Sequence, residues 1–200
     1  MKRNSHKACR RYGIKLCQSN KCPVQRRNYP PGVHGPKGTR RLTEYGTQLA
    51  EKQKAKIVYG LRERPFRNYY LKAIKQTGDT GLILQQLLEM RLDNAIFRLG
   101  FAKTRAAARQ MVSHNFFLIN GKTVNIPSCQ LKIKDEITIK PTKTNKKVFL
   151  GLEEKQTKQK LPSWLNLDTA TKTAKVMTKP SVDDFEHLFN PRLIVEYYSK

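Results

Sequence analysis

Acidic residues are scarce in this 200-residue chain. Only 15 Asp and Glu stand against 40 Lys and Arg, a formal charge of +25, and none of the acids precedes Glu44. A free protein so charged would repel itself, so a polyanionic partner is a more economical explanation than a merely solvated surface. No run approaches the ~18 apolar residues of a membrane span, and there is no secretory signal with an apolar core. A recognisable transit peptide is also missing, which argues against import. No Gly-rich phosphate loop and no nucleophile–base set appears, so the usual enzyme signatures are lacking. Cysteine is limited to four residues, and three in one segment with no sign of export do not suggest a disulfide framework. At 38% hydrophobic residues a modest core is expected, with part of the chain ordering only on its partner.

What is present is unevenly distributed. Met1 to Thr43 holds twelve Lys or Arg and no carboxylate. Tyr29-Pro30-Pro31-Gly32 and Gly35-Pro36-Lys37-Gly38 forbid regular helix there, so an extended basic arm is predicted. Thr43 can cap a helix running to Tyr59, with Tyr45, Leu49 and Ile57 on one side and Gly60 as its stop. A helix over about 63–76 follows, with Phe66, Tyr69, Tyr70, Ala73 and Ile74 as its apolar face. Thr80 then caps a segment carrying Leu84, Leu87 and Leu88. These aromatic spacings suit a core better than a base-stacking surface. The Lys- and Gln-rich stretch 141–161 reads as an exposed helix, and 164–177 has weak strand character. Asn190-Pro191 starts a last helix, whose Leu193, Ile194 and Tyr197 are expected to dock near Phe66 and Tyr70. From Ser181 onward the charge reverses, with Asp183, Asp184, Glu186 and Glu196 outnumbering Arg192 and Lys200.

Arg91 to Lys140 is the most informative segment. Leu92, Ala95, Ile96 and Leu99 recur at helical spacing, with Arg91 and Arg98 on a shared polar edge. Gly100 is placed to stop that helix, and Thr104 to cap a second one that turns Ala108, Met111 and Val112 inward. Arg105 and Arg109, four apart, point the other way together. Asn120-Gly121 between two apolar runs is a strong hairpin signal, because a type I′ turn needs positive φ at both central residues. Two short helices on a small antiparallel sheet, with arginines fanned over one side, suit a phosphate backbone.

The motifs RLDNAIFRLGFAKTRAAARQMVSH and INGKTVNIPS resemble the family of small-ribosomal-subunit protein four, in its bacterial or organellar form. YPPGVHGPKG, EKQKAKIVYGLRERPFRNYY and LIVEYYSK extend the resemblance in the right order over nearly the whole chain. It implies an α+β protein: a mainly helical domain plus an inserted α/β domain with a small antiparallel sheet. The divisions expected are a basic arm over 1–42, a helical domain over 43–90 completed by 181–200, and an RNA-binding domain over 91–180. The resemblance also implies ribosomal RNA binding at a multi-helix junction during early subunit assembly. Beyond that it implies a place near the mRNA entrance beside protein five of the same subunit, at a contact tied to decoding accuracy. This sequence departs from the family pattern at His114-Asn115-Phe116, where His-Gly-His is usual, although Asn115 can still adopt a left-handed turn. A Gly-Asp turn is replaced by Lys134-Asp135, and Cys129 takes a position that is usually aromatic.

His6, Cys9, Cys17 and Cys22 are separated by gaps of two, seven and four residues. The first gap suits two ligands of one zinc, but the set is not a pair of Cys-x-x-Cys knuckles, so zinc and unrelated thiols both stay open on spacing alone. The resemblance implies a structural zinc, with His6 standing where many relatives carry a first cysteine. Cys129 is read as a small buried residue.

Two other functions can be weighed. Arg91-Leu92-Asp93 superficially matches the catalytic triplet of pseudouridine synthases, but here it starts the module's own helix, and the sixty residues after Lys140 are too few for their catalytic domain. Local pairing of Asp93 with an arginine is the simpler reading. A zinc-containing DNA regulator fits no helix-turn-helix or finger spacing. The expectation is therefore a structural RNA-binding protein of the small ribosomal subunit without enzymatic activity. Arg10, Arg11, Lys21, Arg26, Arg27, Arg40 and Arg41 would meet RNA from the arm, and Arg62, Arg64 and Arg67 from the helical domain. Arg91, Arg98, Arg105, Arg109 and His114 would meet it from the module. Asp183, Asp184 and Glu186 would face a basic protein neighbour instead.

Overall fold

The computed structural model describes residues 5–38, 41–144, 146, 149, 161–168 and 171–199. Their helices and antiparallel strands make an α+β fold, as expected. The chain divides into two compact units, one formed by Met1–Leu84 with Glu186–Lys200 and the other by Gln85–Phe185.

The first unit begins with helix α1 (Ser5–Tyr12) and irregular chain with two single 3₁₀ turns, Pro23–Gln25 and Gly35–Lys37. Helix α2 (Glu44–Val58) follows the Thr43 cap, whose Oγ1 accepts from the Gly46 amide at 3.2 Å. Its buried face differs from the predicted one. Tyr45 is 55% exposed, and Gln48, Lys52, Ala55, Lys56 and Val58 turn inward. The lysines are tolerated there because each has a partner: Lys52 reaches Glu63 at 3.0 Å and lies 4.0 Å from the Tyr197 ring centroid, and Lys56 reaches Glu63 at 2.6 Å.

Helix α3 (Glu63–Ile74) buries Phe66, Tyr69, Tyr70 and Ala73, while Ile74, in its last turn, is half exposed. Helix α4 (Thr80–Glu89) is capped from one residue earlier than predicted. Asp79 Oδ1 accepts from the Gly81 amide at 2.8 Å, so Thr80 lies inside the helix. The C-terminal helix, here α7 (Pro191–Ser199; α5 and α6 follow below), docks against α2 and buries Ile194 completely. Tyr198, rather than Tyr197, reaches the predicted aromatic pair: it stacks on Tyr70 at 4.6 Å and lies 6.4 Å from Phe66. Its hydroxyl donates to Glu63 at 2.6 Å. Burial alone would raise the Glu63 carboxyl, but its bonds from Lys56, Tyr198 and Lys52 prevail and hold its pKa at about 2.

In the second unit, helices α5 (Leu92–Arg98) and α6 (Arg105–Ser113) pack with a five-stranded antiparallel sheet. Its strands are β1 (Phe117–Ile119), β2 (Lys122–Thr123), β3 (Glu136–Ile139), β4 (Leu165–Asp168) and β5 (Thr173–Val176). Their spatial order is β2-β1-β3-β5-β4, with Leu118 opposite Thr123 and Thr138, and Ala174 opposite both Ile137 and Leu167. The β1–β2 turn has φ of 48° at Asn120 and 77° at Gly121, the positive pair a type I′ turn requires. Asn115 takes the expected left-handed conformation at φ 57°. Leu92, Ala95, Ile96, Leu99, Ala108, Met111 and Val112 meet Phe117, Ile137, Trp164 and Ala174 in one core. The helix predicted over 141–161 falls largely outside the described residues. No described helix is long and apolar enough to cross a membrane.

Candidate nucleic-acid interface

The arginines predicted on the module surface divide into two groups. Arg91 is 1% exposed, and its Nε and Nη2 donate to the two Asp93 carboxylate oxygens at 3.0 and 2.7 Å. Asp93 is thus a local partner of an arginine, as the simpler reading of the triplet expects. Arg98 makes the same forked contact with Glu89, 2.9 Å on each arm, and Glu89 is fully buried. Asn94 Nδ2 donates to another lone pair of Glu89 Oε2 at 2.8 Å, and its Oδ1 accepts from Arg105 Nε at 2.7 Å. The Arg105 guanidinium lies 4.5 Å from the Phe97 ring centroid. Arg91, Arg98 and Arg105 therefore turn inward, a correction to their expected RNA-facing position. Asp93 draws Arg91 inward and the buried Glu89 draws Arg98, each a carboxylate that needs a cation more than the surface does, while Asn94 and Phe97 hold Arg105. Arg109 and His114 remain outward, and the Arg105–Arg109 pair is split across the helix. Lys103, Lys122, Lys132 and Lys134 are further exposed cations that the helical motif did not reveal; all sit in or beside turns, where solvated lysine is the default.

The arm also sorts its cations. Arg10 Nε and Nη2 donate to the carbonyls of Tyr29 and Pro30 at 3.1 Å each, with the guanidinium 4.7 Å from the Tyr29 ring centroid. Arg10 therefore folds the arm instead of projecting from it. Arg11, Lys21, Arg26, Arg27 and Arg41 are exposed, while Arg40 lies outside the described residues. Arg62, Arg64 and Arg67 are exposed along α3, opposite its aromatic face.

Cys9, Cys17 and Cys22 converge, with all three Sγ atoms within 4.8 Å of one another. Tetrahedral zinc at ~2.3 Å from each sulfur would hold thiolates roughly 3.8 Å apart, so the set fits such an ion. The Leu16 amide donates to Cys9 Sγ at 3.2 Å, the kind of outer bond that supports a metal-bound thiolate. His6, half-buried on α1, is not among the ligand atoms brought together, a correction to the four-residue set. Burial first, then Cys17 and Cys22, pushes the Cys9 thiol up to about 11, whereas Cys22, although burial opposes it, is lowered by hydrogen bonds from the Val24 backbone, Cys17 and Cys9. Cys129 is only half-buried, and burial raises its thiol as well.

The acidic residues do not act as one patch. Asp184 braces its own unit, accepting from the Ser163 amide at 2.7 Å, the Ser163 hydroxyl at 2.8 Å and the Ser181 hydroxyl at 2.9 Å. These bonds hold its carboxyl below the ordinary value although burial opposes them. A carboxylate so engaged is not offered to a neighbouring protein, which corrects the expectation for Asp184. Asp183 is exposed and Glu186 half-buried.

Residues 1–89 match the model of the ribosomal protein S4/S9 N-terminal domain, and residues 90–137 match that of the S4 domain. Small ribosomal subunit protein uS4 of Heliobacterium modesticaldum is 46% identical over 198 residues, covering 96% of this chain and 95% of its own. The chain belongs to the uS4 family of small ribosomal subunit proteins. The uS4 proteins of Clostridium tetani, 44% identical over 199 residues, and Chlorobium limicola, 43% identical over 194, show the same near-complete coverage. uS4 proteins are structural constituents of the small subunit and not enzymes, so the pseudouridine synthase alternative falls away.

Proposed function

We propose that this chain binds small-subunit ribosomal RNA at a junction of several helices and holds them in one relative orientation as the subunit assembles. The observation that carries this reading is the sorting of the cations. Those with structural work are paired inside, and among the described residues a surplus of cations is exposed in three places. Arg11, Lys21, Arg26, Arg27 and Arg41 would act from the arm, with Arg40 alongside them, Arg62, Arg64 and Arg67 from α3, and Arg109 and His114 from the module. RNA junctions are recognised chiefly through shape, backbone and 2′-hydroxyls, which suits scattered point charges on rigid helices. On this reading the arm, the helical unit and the inserted α/β unit act as three separate grips. The family's place near the mRNA entrance, beside protein five and at a contact tied to decoding accuracy, extends to this chain. Asp183, exposed on the second unit, would face a basic protein there.

Salt dependence tests the assignment. Arg109→Gln should reduce the slope of log K against log salt by about one, with thermal stability unchanged, because each phosphate contact releases about one counterion. An unchanged slope would remove Arg109 from the interface.

A structural zinc belongs to this reading. Cys9, Cys17 and Cys22 would supply its thiolates. Bound there, zinc would hold α1 against the irregular arm. The full chain purified without chelator should then carry one zinc. Cys17→Ser should lose it and disorder the arm, while the Trp164 fluorescence of the module stays native. Zinc content unchanged in Cys17→Ser would refute the site.

A further inference from the structure

Tyr29 to Gly38 forms a loop whose tip projects an apolar side chain: Val33 is 91% exposed, the most exposed of the large hydrophobic residues described. The loop is not loosely held. Gly35 N donates to Gly32 O at 3.1 Å, closing a turn with Val33 and His34 at its two corners, and His34 has the φ −84°, ψ −6° of a type I second corner. Lys37 N donates to His34 O at 3.2 Å and Gly38 N to Gly35 O at 3.0 Å. Arg10 clamps the base through the Tyr29 and Pro30 carbonyls. Gly35 is buried against that base, where a Cβ would meet the Pro30 oxygen at 1.9 Å, so only glycine fits.

A clamped arginine and an irreplaceable glycine thus fix a turn that leaves Val33 almost fully exposed among the described residues of its own unit. Rigidity of that kind lowers the ordering cost of a contact made elsewhere. The surroundings identify the partner. His34 and Lys37 flank the tip, Arg26, Arg27 and Arg41 are exposed in the same arm, and the first 43 residues hold no acid. A protein neighbour would need carboxylates to match; RNA supplies the charge and, in its shallow minor groove, an apolar ribose surface. We propose that the Val33–His34 turn is a preformed RNA contact in which the valine methyls pack on ribose faces while Lys37 meets the adjacent phosphates.

This proposal rests on RNA binding by the chain, and one experiment separates the two. The full chain is titrated with transcribed small-subunit ribosomal RNA at several salt concentrations. Val33→Ser should weaken binding by about tenfold at every salt, leaving the slope unchanged, because an apolar contact releases no counterions. Lys37→Gln should instead lower the slope by about one. Hydroxyl-radical footprinting should show Val33→Ser losing ribose protection at one cluster of nucleotides only. Wild-type affinity and an intact footprint in Val33→Ser would overturn the contact while leaving RNA binding in place. A Val33→Ser effect confined to low salt would overturn its apolar character. Failure of the wild-type chain to bind the RNA would instead overturn the function on which the proposal rests.

Discussion

Glu89→Ala should destabilise the α/β unit by about 3–5 kcal/mol, a large share of the stability of a domain this size. Glu89 is fully buried, receives both arms of the Arg98 fork and orients Asn94, which in turn receives Arg105. Removing the carboxylate leaves a guanidinium and an amide in low dielectric with their main acceptor gone. The penalty comes from the stranded cation and not from a lost attraction. Glu89→Met combined with Arg98→Met should therefore recover much of the loss, since both charges leave together. Urea unfolding followed through Trp164, the one tryptophan and fully buried in this unit, gives the numbers directly. A loss below about 1 kcal/mol for Glu89→Ala would show that water reaches the pair and that the arginines are not committed inward.

Deleting residues 190–200 should weaken the helical unit by about 3–5 kcal/mol while Trp164 unfolding stays near wild type. The deletion removes the buried Ile194, the Tyr198 stack on Tyr70 and the hydroxyl donor to Glu63, and it uncovers Lys52. Hydrogen exchange should therefore quicken in α2 and α3, and equal protection in wild type and deletion would contradict the docking. Acid should loosen the same helix more gently. The folded Glu63 carboxyl titrates at about 2, below its unfolded value, so its contribution is present above about pH 5 and fades as the pH falls towards 2. Glu63 is substantially exposed, and solvent screening keeps this effect small beside the deletion.

Patterns set by backbone geometry were legible in the sequence. Thr43 and Thr104 cap where their side chains have amides to accept from, Asn120-Gly121 turns as its positive φ requires, and the Leu92–Leu99 stripe is buried. Choices that depend on a distant partner were not legible. Arg91, Arg98 and Arg105 have the spacing of a basic face, yet a carboxylate on the preceding helix and one two residues away draw the first two inward. The burial of Lys52 and Lys56 on α2 likewise depends on Glu63 and the tyrosines of α7, which the helix's own spacing does not reveal. The three cysteines converge through irregular chain that periodicity does not describe, and His6 is not gathered with them. Asp184 reads as a free acid because its serine donors, Ser163 and Ser181, lie in separate loops. Periodicity identifies which face a residue occupies. It does not say whether the face opposite carries a countercharge.

We propose that the cations of this chain divide into an inward, carboxylate-bound set and an outward set that holds RNA. A density map of the intact small subunit containing this protein tests it most directly. The account predicts the Arg62, Arg64, Arg67 and Arg109 side chains within about 4 Å of RNA phosphates, with Arg91 and Arg98 still forked on Asp93 and Glu89. Arg91 or Arg98 found on phosphate, with Asp93 or Glu89 left to other partners, would contradict it.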